Sequence, residues 1–215
     1  MKQRAVVLLS GGLDSATCAF EAQAAGYAIH ALTVAYGQRH SRELVAAQRI
    51  AESVGATEHK VVQLDLTLWG GSALTDASIG VPTQGVSGGI PSTYVPARNT
   101  IFLGLALGWA EVLDAEAIYI GVNDIDYSGY PDCRPEFIAA FQRVVELATR
   151  RTVEGGRIEI KTPLQELSKV QIVRRARELG VPIDETWSCY MGGETPCGVC
   201  DSCRLREEAL AAAGG

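Results

Sequence analysis

The 215-residue chain has no basic excess: 19 Lys and Arg stand against 25 Asp and Glu, for a formal net charge of −6. Gripping a phosphate backbone depends on surplus cations that release counterions, so the balance argues against a nucleic-acid binder and no nucleic-acid partner is expected. Long hydrophobic runs are also missing. Ala5 to Leu9 is shorter than a secretory core, and Ile101 to Ala110 is about half a membrane span. The expectation is a cytoplasmic chain with no membrane partner. Internal repeats, low-complexity tracts, a Walker A sequence and G-x-G-x-x-G are all absent, so neither γ-phosphate transfer nor dinucleotide binding is expected.

What is present is enough to fold. A composition that is 47% hydrophobic supports a buried core and excludes intrinsic disorder. Ala5 to Leu9, Tyr27 to Ala35, His59 to Leu64, Ala117 to Val122 and Ile158 to Lys161 read as strands. Helices are expected after Leu13, over His40 to Val54 (apolar stripe Leu44, Val45, Ile50 and Val54), Thr100 to Leu113, Pro135 to Arg151 and Ser168 to Leu179. Gly70 to Ser92 and residues 123–134 read as long polar loops, and the Ala/Gly tail after Leu210 as frayed. Strands alternating with helices predict an α/β fold with a doubly wound parallel sheet over residues 1–184. A small C-terminal zinc-binding segment with a helix is expected over 185–215. In such sheets ligands bind beyond the carboxyl ends of the strands, where Ser10, the 123–134 loop and Lys161 would lie.

Ser10-Gly11-Gly12-Leu13-Asp14-Ser15 joins the first strand to the first helix. Adjacent glycines let the backbone turn sharply and leave its N–H groups uncovered. Those groups and the helix N-terminus behind them suit an anion such as pyrophosphate. Ser10 and Ser15 add hydroxyls, and Asp14 can hold the loop or help ligate Mg²⁺. The plainer alternative is a Gly-Gly turn with an Asp or Ser cap. The strand–loop–helix context favours the phosphate site.

Cys189-x7-Cys197-x2-Cys200-x2-Cys203 offers four thiolates in a short span, as a closed structural zinc site requires. An Fe–S cluster or regulatory disulfides are the alternatives. Cys18 reads as a core residue, Cys133 as a loop residue with no evident histidine partner, and His30 as a packed core histidine. Gln38, Arg39, His40 and Glu43 crowd the end of the second strand. Asp124, Asp126, Tyr130, Asp132 and Arg134 share one loop at a strand end, which favours substrate recognition over simple solvation. Arg134 or Arg98 suits an acid group of the substrate, and Lys161 and Lys169 suit phosphates.

The hexapeptide resembles the PP-loop of N-type ATP pyrophosphatases. Tyr36-Gly37-Gln38-Arg39-His40, Tyr94-Val95-Pro96-Ala97-Arg98-Asn99, Gly121-Val122-Asn123, Ser128-Gly129-Tyr130-Pro131-Asp132-Cys133-Arg134-Pro135 and the cysteines narrow the resemblance. Together they are similar to the branch that makes 7-cyano-7-deazaguanine in queuosine biosynthesis. This resemblance implies a ligase that adenylates 7-carboxy-7-deazaguanine with ATP and Mg²⁺, displaces AMP with ammonia, and adenylates the amide to give the nitrile. It implies ATP held by Leu8, Leu9, Ser10, Gly11, Gly12, Leu13, Asp14, Ser15, Ala16, Thr17 and Cys18, and catalytic roles for Asp14, Ser15, Arg98 and Lys161. Zinc on the four cysteines and a homodimer are likewise implied. Met1 in place of Cys, and a length filled by one domain and its tail, lead us to expect free ammonia and no built-in glutaminase. The rivals are a PP-loop enzyme that modifies tRNA and a zinc-ribbon regulator that binds DNA. Against the latter, Trp187 to Cys203 contains no Lys or Arg.

Overall fold

The computed structural model describes residues 2–39, 41–83, 89–123 and 129–214. Within them β1 (Arg4–Leu8), β2 (Ala28–Ala35), β3 (Glu58–Gln63), β4 (Ala117–Tyr119) and β5 (Glu159–Lys161) form one parallel sheet in the order β3-β2-β1-β4-β5. In register, Val6 lies beside His30 on one side and Ile118 on the other. The helices are α1 (Leu13–Ala24), α2 (Arg42–Ser53), α3 (Arg98–Val112), α4 (Pro135–Ala148), α5 (Arg150–Val153), α6 (Lys169–Leu179) and α7 (Asp201–Ala212).

Residues 5–9 are apolar throughout because β1 is covered on both faces. Ala5, Val7 and Leu9 pack with Phe20 of α1, Ile50 of α2, Ile172 of α6 and Ala209 of α7. Val6 and Leu8 point the other way, to Leu103 of α3 and Phe141 of α4. The expected doubly wound α/β architecture is therefore the observed one. The strand order reverses between β1 and β4, and the crevice beyond their carboxyl ends is where such a sheet binds ligands. No helix among the described residues is long and apolar enough to cross a membrane.

Four local expectations are corrected. The buried stripe of α2 is Ala46, Ala47, Ile50 and Ala51, while Val45 is 47% exposed. Ala46 and Ala47 face inward where the helix packs directly on the backbone of Gly11 in the β1–α1 loop, while Ile50, a turn further on, reaches the core. The strand at Ala117 ends at Tyr119 rather than Val122, because Gly121 turns out against the start of α1. The helix after Pro135 breaks at Thr149, where the backbone is extended (φ −115°, ψ 142°) and the side-chain Oγ1 caps the short α5 by accepting a hydrogen bond from Thr152 N. The tail is helical to Ala212, not frayed from Leu210: alanine is the best helix former, and Ala209 is buried.

The polar segment after Gly70 is tethered within its described part. Arg39 donates from Nε to Ala73 O (2.7 Å) and from Nη2 to Asp76 O (2.9 Å) and Ile79 O (2.6 Å). Ile118, fully buried at the centre of the sheet, is a direct probe of this architecture. Ile118→Ala should lower the unfolding free energy by ~2–5 kcal/mol, read as a lower denaturant midpoint with an unchanged m-value.

Candidate active site

The crevice beyond β1 and β4 opens into a cavity of about 540 Å³, within the size range of small-molecule sites. One end is the β1–α1 loop. Gly11 has φ 84°, and a Cβ there would lie 2.4 Å from Glu43 O and 2.6 Å from Ala47 N. Glycine is thus required twice over, by backbone conformation and by contact with α2. Ser15 Oγ donates to Gly12 O (3.0 Å), accepts from Ser10 N (3.1 Å) and lies 3.0 Å from Ser10 Oγ. The two serines tie the loop into shape.

Of the stretch from Leu8 to Cys18, Leu8, Leu9, Ser10, Gly12, Leu13, Asp14 and Ser15 line the cavity. Ala16, Thr17 and Cys18 are buried in α1, where Thr17 Oγ1 donates to Leu13 O (2.8 Å). Burial pushes the Cys18 thiol well above its usual pKa, so it stays protonated. Asp14 Oδ2 accepts from Asn123 Nδ2 (2.8 Å) and from the Lys169 ammonium, which reaches over from the first turn of α6. Gly121 makes room for this meeting, since a Cβ there would stand 3.0 Å from the carbonyl carbon of Asp14 and from Ser15 N.

Arg98, Tyr36, Glu43 and Tyr130 line the cavity as well. Arg98 begins α3 directly after Ala97, a non-glycine residue at φ 55°, and its guanidinium lies 5.9 Å from the centre of the Tyr36 ring. Burial works to lower the Arg98 pKa, but Tyr36, Cys133, Tyr130 and Asp132 outweigh it and the net shift is upward. Burial also raises the Tyr36 phenol. Glu43, in the first turn of α2, is pushed up to about 7 by burial, with Arg98 pulling the other way.

The residues expected to recognise substrate divide. Tyr130 lines the cavity, stacked on Tyr94 at 6.0 Å with its hydroxyl 2.9 Å from Thr93 Oγ1. Asp132 is buried under the wall, where Oδ2 accepts from Asn99 N (2.9 Å) and pins this loop to the start of α3. Asn99 Nδ2 also donates to Asp132 O and to Cys133 Sγ, each at 3.1 Å. Arg134 is exposed as the residue before α4 and does not line the cavity. Asp124 and Asp126, like His40, lie outside the described residues. Lys161 is at the end of β5, two strands from β1, with its ammonium 3.1 Å from Glu159. Lys169, rather than Lys161, meets the loop.

Sequence reading had no handle on Arg206. It projects from α7, donates to Thr186 Oγ1 (2.6 Å) and Ile183 O (2.8 Å), and lines the cavity. The same C-terminal segment supplies Trp187, whose backbone N–H donates to Gly11 O (2.9 Å).

The ligand atoms of Cys189, Cys197, Cys200 and Cys203 lie within 4.8 Å of one another, and no disulfide joins them. A tetrahedron with Zn–S bonds of about 2.3 Å has S–S edges of about 3.8 Å, so the four sulfurs fit one ion after a small contraction. Backbone N–H groups aim at them: Cys189 Sγ accepts from Cys197 N (3.4 Å), and Cys197 Sγ from Cys200 N (3.3 Å). Gly198, at φ 70°, makes the turn between the paired cysteines. The disulfide alternative does not describe this arrangement.

Fold and loop together define a parallel α/β protein of the PP-loop, NAD synthetase-like kind. The chain is similar in fold to the NMN synthetase of Francisella tularensis (TM-score 0.53, 18% identity, covering 92% of this chain and 71% of that one). It is similar also to an NH3-dependent NAD synthetase of Campylobacter jejuni (TM-score 0.51, 17% identity, covering 86% and 67%). Sequence narrows the class: residues 4–214 match the family described as queuosine biosynthesis protein QueC, and the chain belongs to that family. Relatives named 7-cyano-7-deazaguanine synthase include that of Aromatoleum aromaticum, 58% identical over 99% of this chain and 95% of the relative. Those of Microcystis aeruginosa (56%, over 100% and 94%) and Pseudomonas aeruginosa (59%, over 99% and 96%) are equally complete matches.

Gly121→Val tests the contact between the β4 end and the loop. The added side chain would press on Asp14 and Ser15, so ATP affinity should fall at least about 10-fold in equilibrium binding, with far-UV circular dichroism unchanged.

Proposed function

We propose that the protein is an ATP-dependent ligase that converts 7-carboxy-7-deazaguanine and ammonia to 7-cyano-7-deazaguanine in queuosine biosynthesis. The observation that carries this reading is the β1–α1 loop at the strand switch point. There Ser10, Gly12, Asp14 and Lys169 converge in a cavity that Arg98 also lines. The names of relatives at 56–59% identity support the same reaction.

The chemistry follows from leaving groups. Hydroxide and oxide leave poorly, so each carbon–oxygen bond of the acid must first be activated. The substrate carboxylate attacks the α-phosphorus of ATP and pyrophosphate leaves. Ammonia attacks the acyl carbon and AMP leaves, giving the amide. The amide oxygen attacks a second ATP, and loss of AMP and N–H protons leaves the nitrile. The loop N–H groups stabilise the departing pyrophosphate, and Lys169 moves from Asp14 onto phosphate. Arg98 orients the carboxylate, and Tyr130 offers a ring face and a hydroxyl to the base. Asp124 and Asp126 remain candidates for the N–H edge of that base.

Asp14 is the loop residue that would offer an oxygen to Mg²⁺, and the ion's chemistry would be charge neutralisation on pyrophosphate. Zinc on the four cysteines supplies no chemistry to the substrate, since four thiolates leave no open position. Bound there, it would order the segment that carries Trp187 and Arg206. The acidic net charge suits an enzyme acting on a free base.

The test is incubation with ATP, Mg²⁺, ammonium and 7-carboxy-7-deazaguanine. The expected products are the nitrile by mass, with AMP and pyrophosphate. An enzyme that adenylates the acid but never yields amide or nitrile would overturn the reading. Asp14→Ala should remove AMP and pyrophosphate release by at least about 100-fold while leaving the unfolding transition cooperative, as measured by calorimetry.

A further inference from the structure

Among the described residues, three carboxylates line the cavity: Asp14, Glu43 and Asp201. Asp14 is held by Lys169 and Asn123, and Asp201 has Arg204 3.8 Å away. Glu43 differs. Among the described residues it makes no hydrogen bond and no close ion pair, although it is largely enclosed and opens into the cavity. The titratable groups facing it there are Arg98 from α3 and Tyr36 from the end of β2. Tyr130, Cys133 and Asp132 face Arg98 from behind, and His40 and residues 84–88 and 124–128 are not described.

A carboxylate left unpaired in a cleft between the phosphate loop and a guanidinium is poised to accept protons. We propose that Glu43 is the general base of the amidation and nitrile-forming steps, taking a proton first from ammonium and later from the adenylated amide. This rests on the functional reading above and assigns it a residue.

In the first step NH4⁺ gives one proton to the Glu43 carboxylate, and the NH3 formed attacks the acyl carbon. The bond from that carbon to the phosphate oxygen breaks, AMP leaves with the electron pair, and the new ammonium group on the carbonyl releases its extra proton to solvent. Glu43 then returns its own proton to solvent. In the second step the adenylated amide, RC(=NH2⁺)–O–AMP, loses one N–H proton to solvent. The second N–H proton passes to Glu43 as the carbon–oxygen bond to AMP breaks and the nitrile forms. Adenylation itself needs no such base, because a carboxylate is already a nucleophile. The role assigned to Glu43 therefore separates by partial reaction.

The experiment compares wild type with Glu43→Gln, which keeps the side-chain shape. Burial raises this carboxyl in the folded state, so the folded chain binds more protons than the unfolded one between the unfolded value and about pH 7, and stability falls as pH rises through that window. Removing the charge should leave the variant at least as heat-stable as wild type at pH 8, which checks its fold. Acid-dependent ATP–pyrophosphate exchange should survive within about 3-fold, while amide and nitrile formation from ammonium fall about 100-fold or more. Hydroxylamine, largely unprotonated at neutral pH, should still give hydroxamate within about 3-fold of wild type. At fixed total ammonium, wild-type amide formation should rise with pH up to about 7 and then level off as Glu43 ionises. The variant, relying on free ammonia, should keep rising about tenfold per pH unit.

Amide formation at the wild-type rate in Glu43→Gln overturns the proposal, as does exchange that falls in step with the amide. Absence of exchange in the wild type itself overturns the functional reading and this proposal with it.

Discussion

The absence of a side chain at Gly11 is the constraint on which the site depends. Its α-carbon sits against the backbone of Glu43 and Ala47, closer than any Cβ permits. Its carbonyl takes the Trp187 N–H. Three separate parts of the chain, the β1–α1 loop, the start of α2 and the cysteine-bearing tail, therefore meet at one backbone position. Gly121 repeats the device on the other side, letting the end of β4 touch Asp14 and Ser15. Backbone packed this tightly from two sides has little freedom, and an anion site made of N–H groups works only if those groups are already aimed.

The tail is part of this economy of contacts. Ala209 reaches the core beside β1, and Arg206 and Trp187 form cavity wall. The four cysteine sulfurs gather a few residues away from both. An ion on those sulfurs would contribute through position: ordering the segment orders the wall. Across the cavity, burial and a single guanidinium act on Glu43 in opposite senses, and burial wins. Desolvation that raises a carboxyl also strengthens every charge interaction within the cleft, so the enclosure that raises Glu43 would also strengthen the attraction of Arg98 for an anionic group placed beside it.

Much of the fold was legible because parallel strands covered on both faces appear as plain apolar runs, as Ala5 to Leu9 does. The misreadings share a cause. The inward face of α2 is alanine, not valine or leucine, because what it packs against is another backbone. Hydrophobic periodicity weights large side chains and cannot register a contact that excludes them. The break at Thr149 and the helical tail beyond Leu210 were likewise settled by local hydrogen bonds and packing that composition does not encode.

For the site, local spacing along the chain settled which groups of side chains come together. Ser10 to Ser15 between strand and helix, and four cysteines in a short span, each act through local spacing, and local spacing is what a sequence states directly. Tertiary structure alone decided which distant groups face one another: Lys169 rather than Lys161 on Asp14, Asp132 under the wall and not in it, Arg206 in the cavity, and Glu43 opposite Arg98. Those pairings span up to 155 residues of chain. They depend on the order in which the strands lie side by side, and no residue-to-residue pattern along the chain records that order.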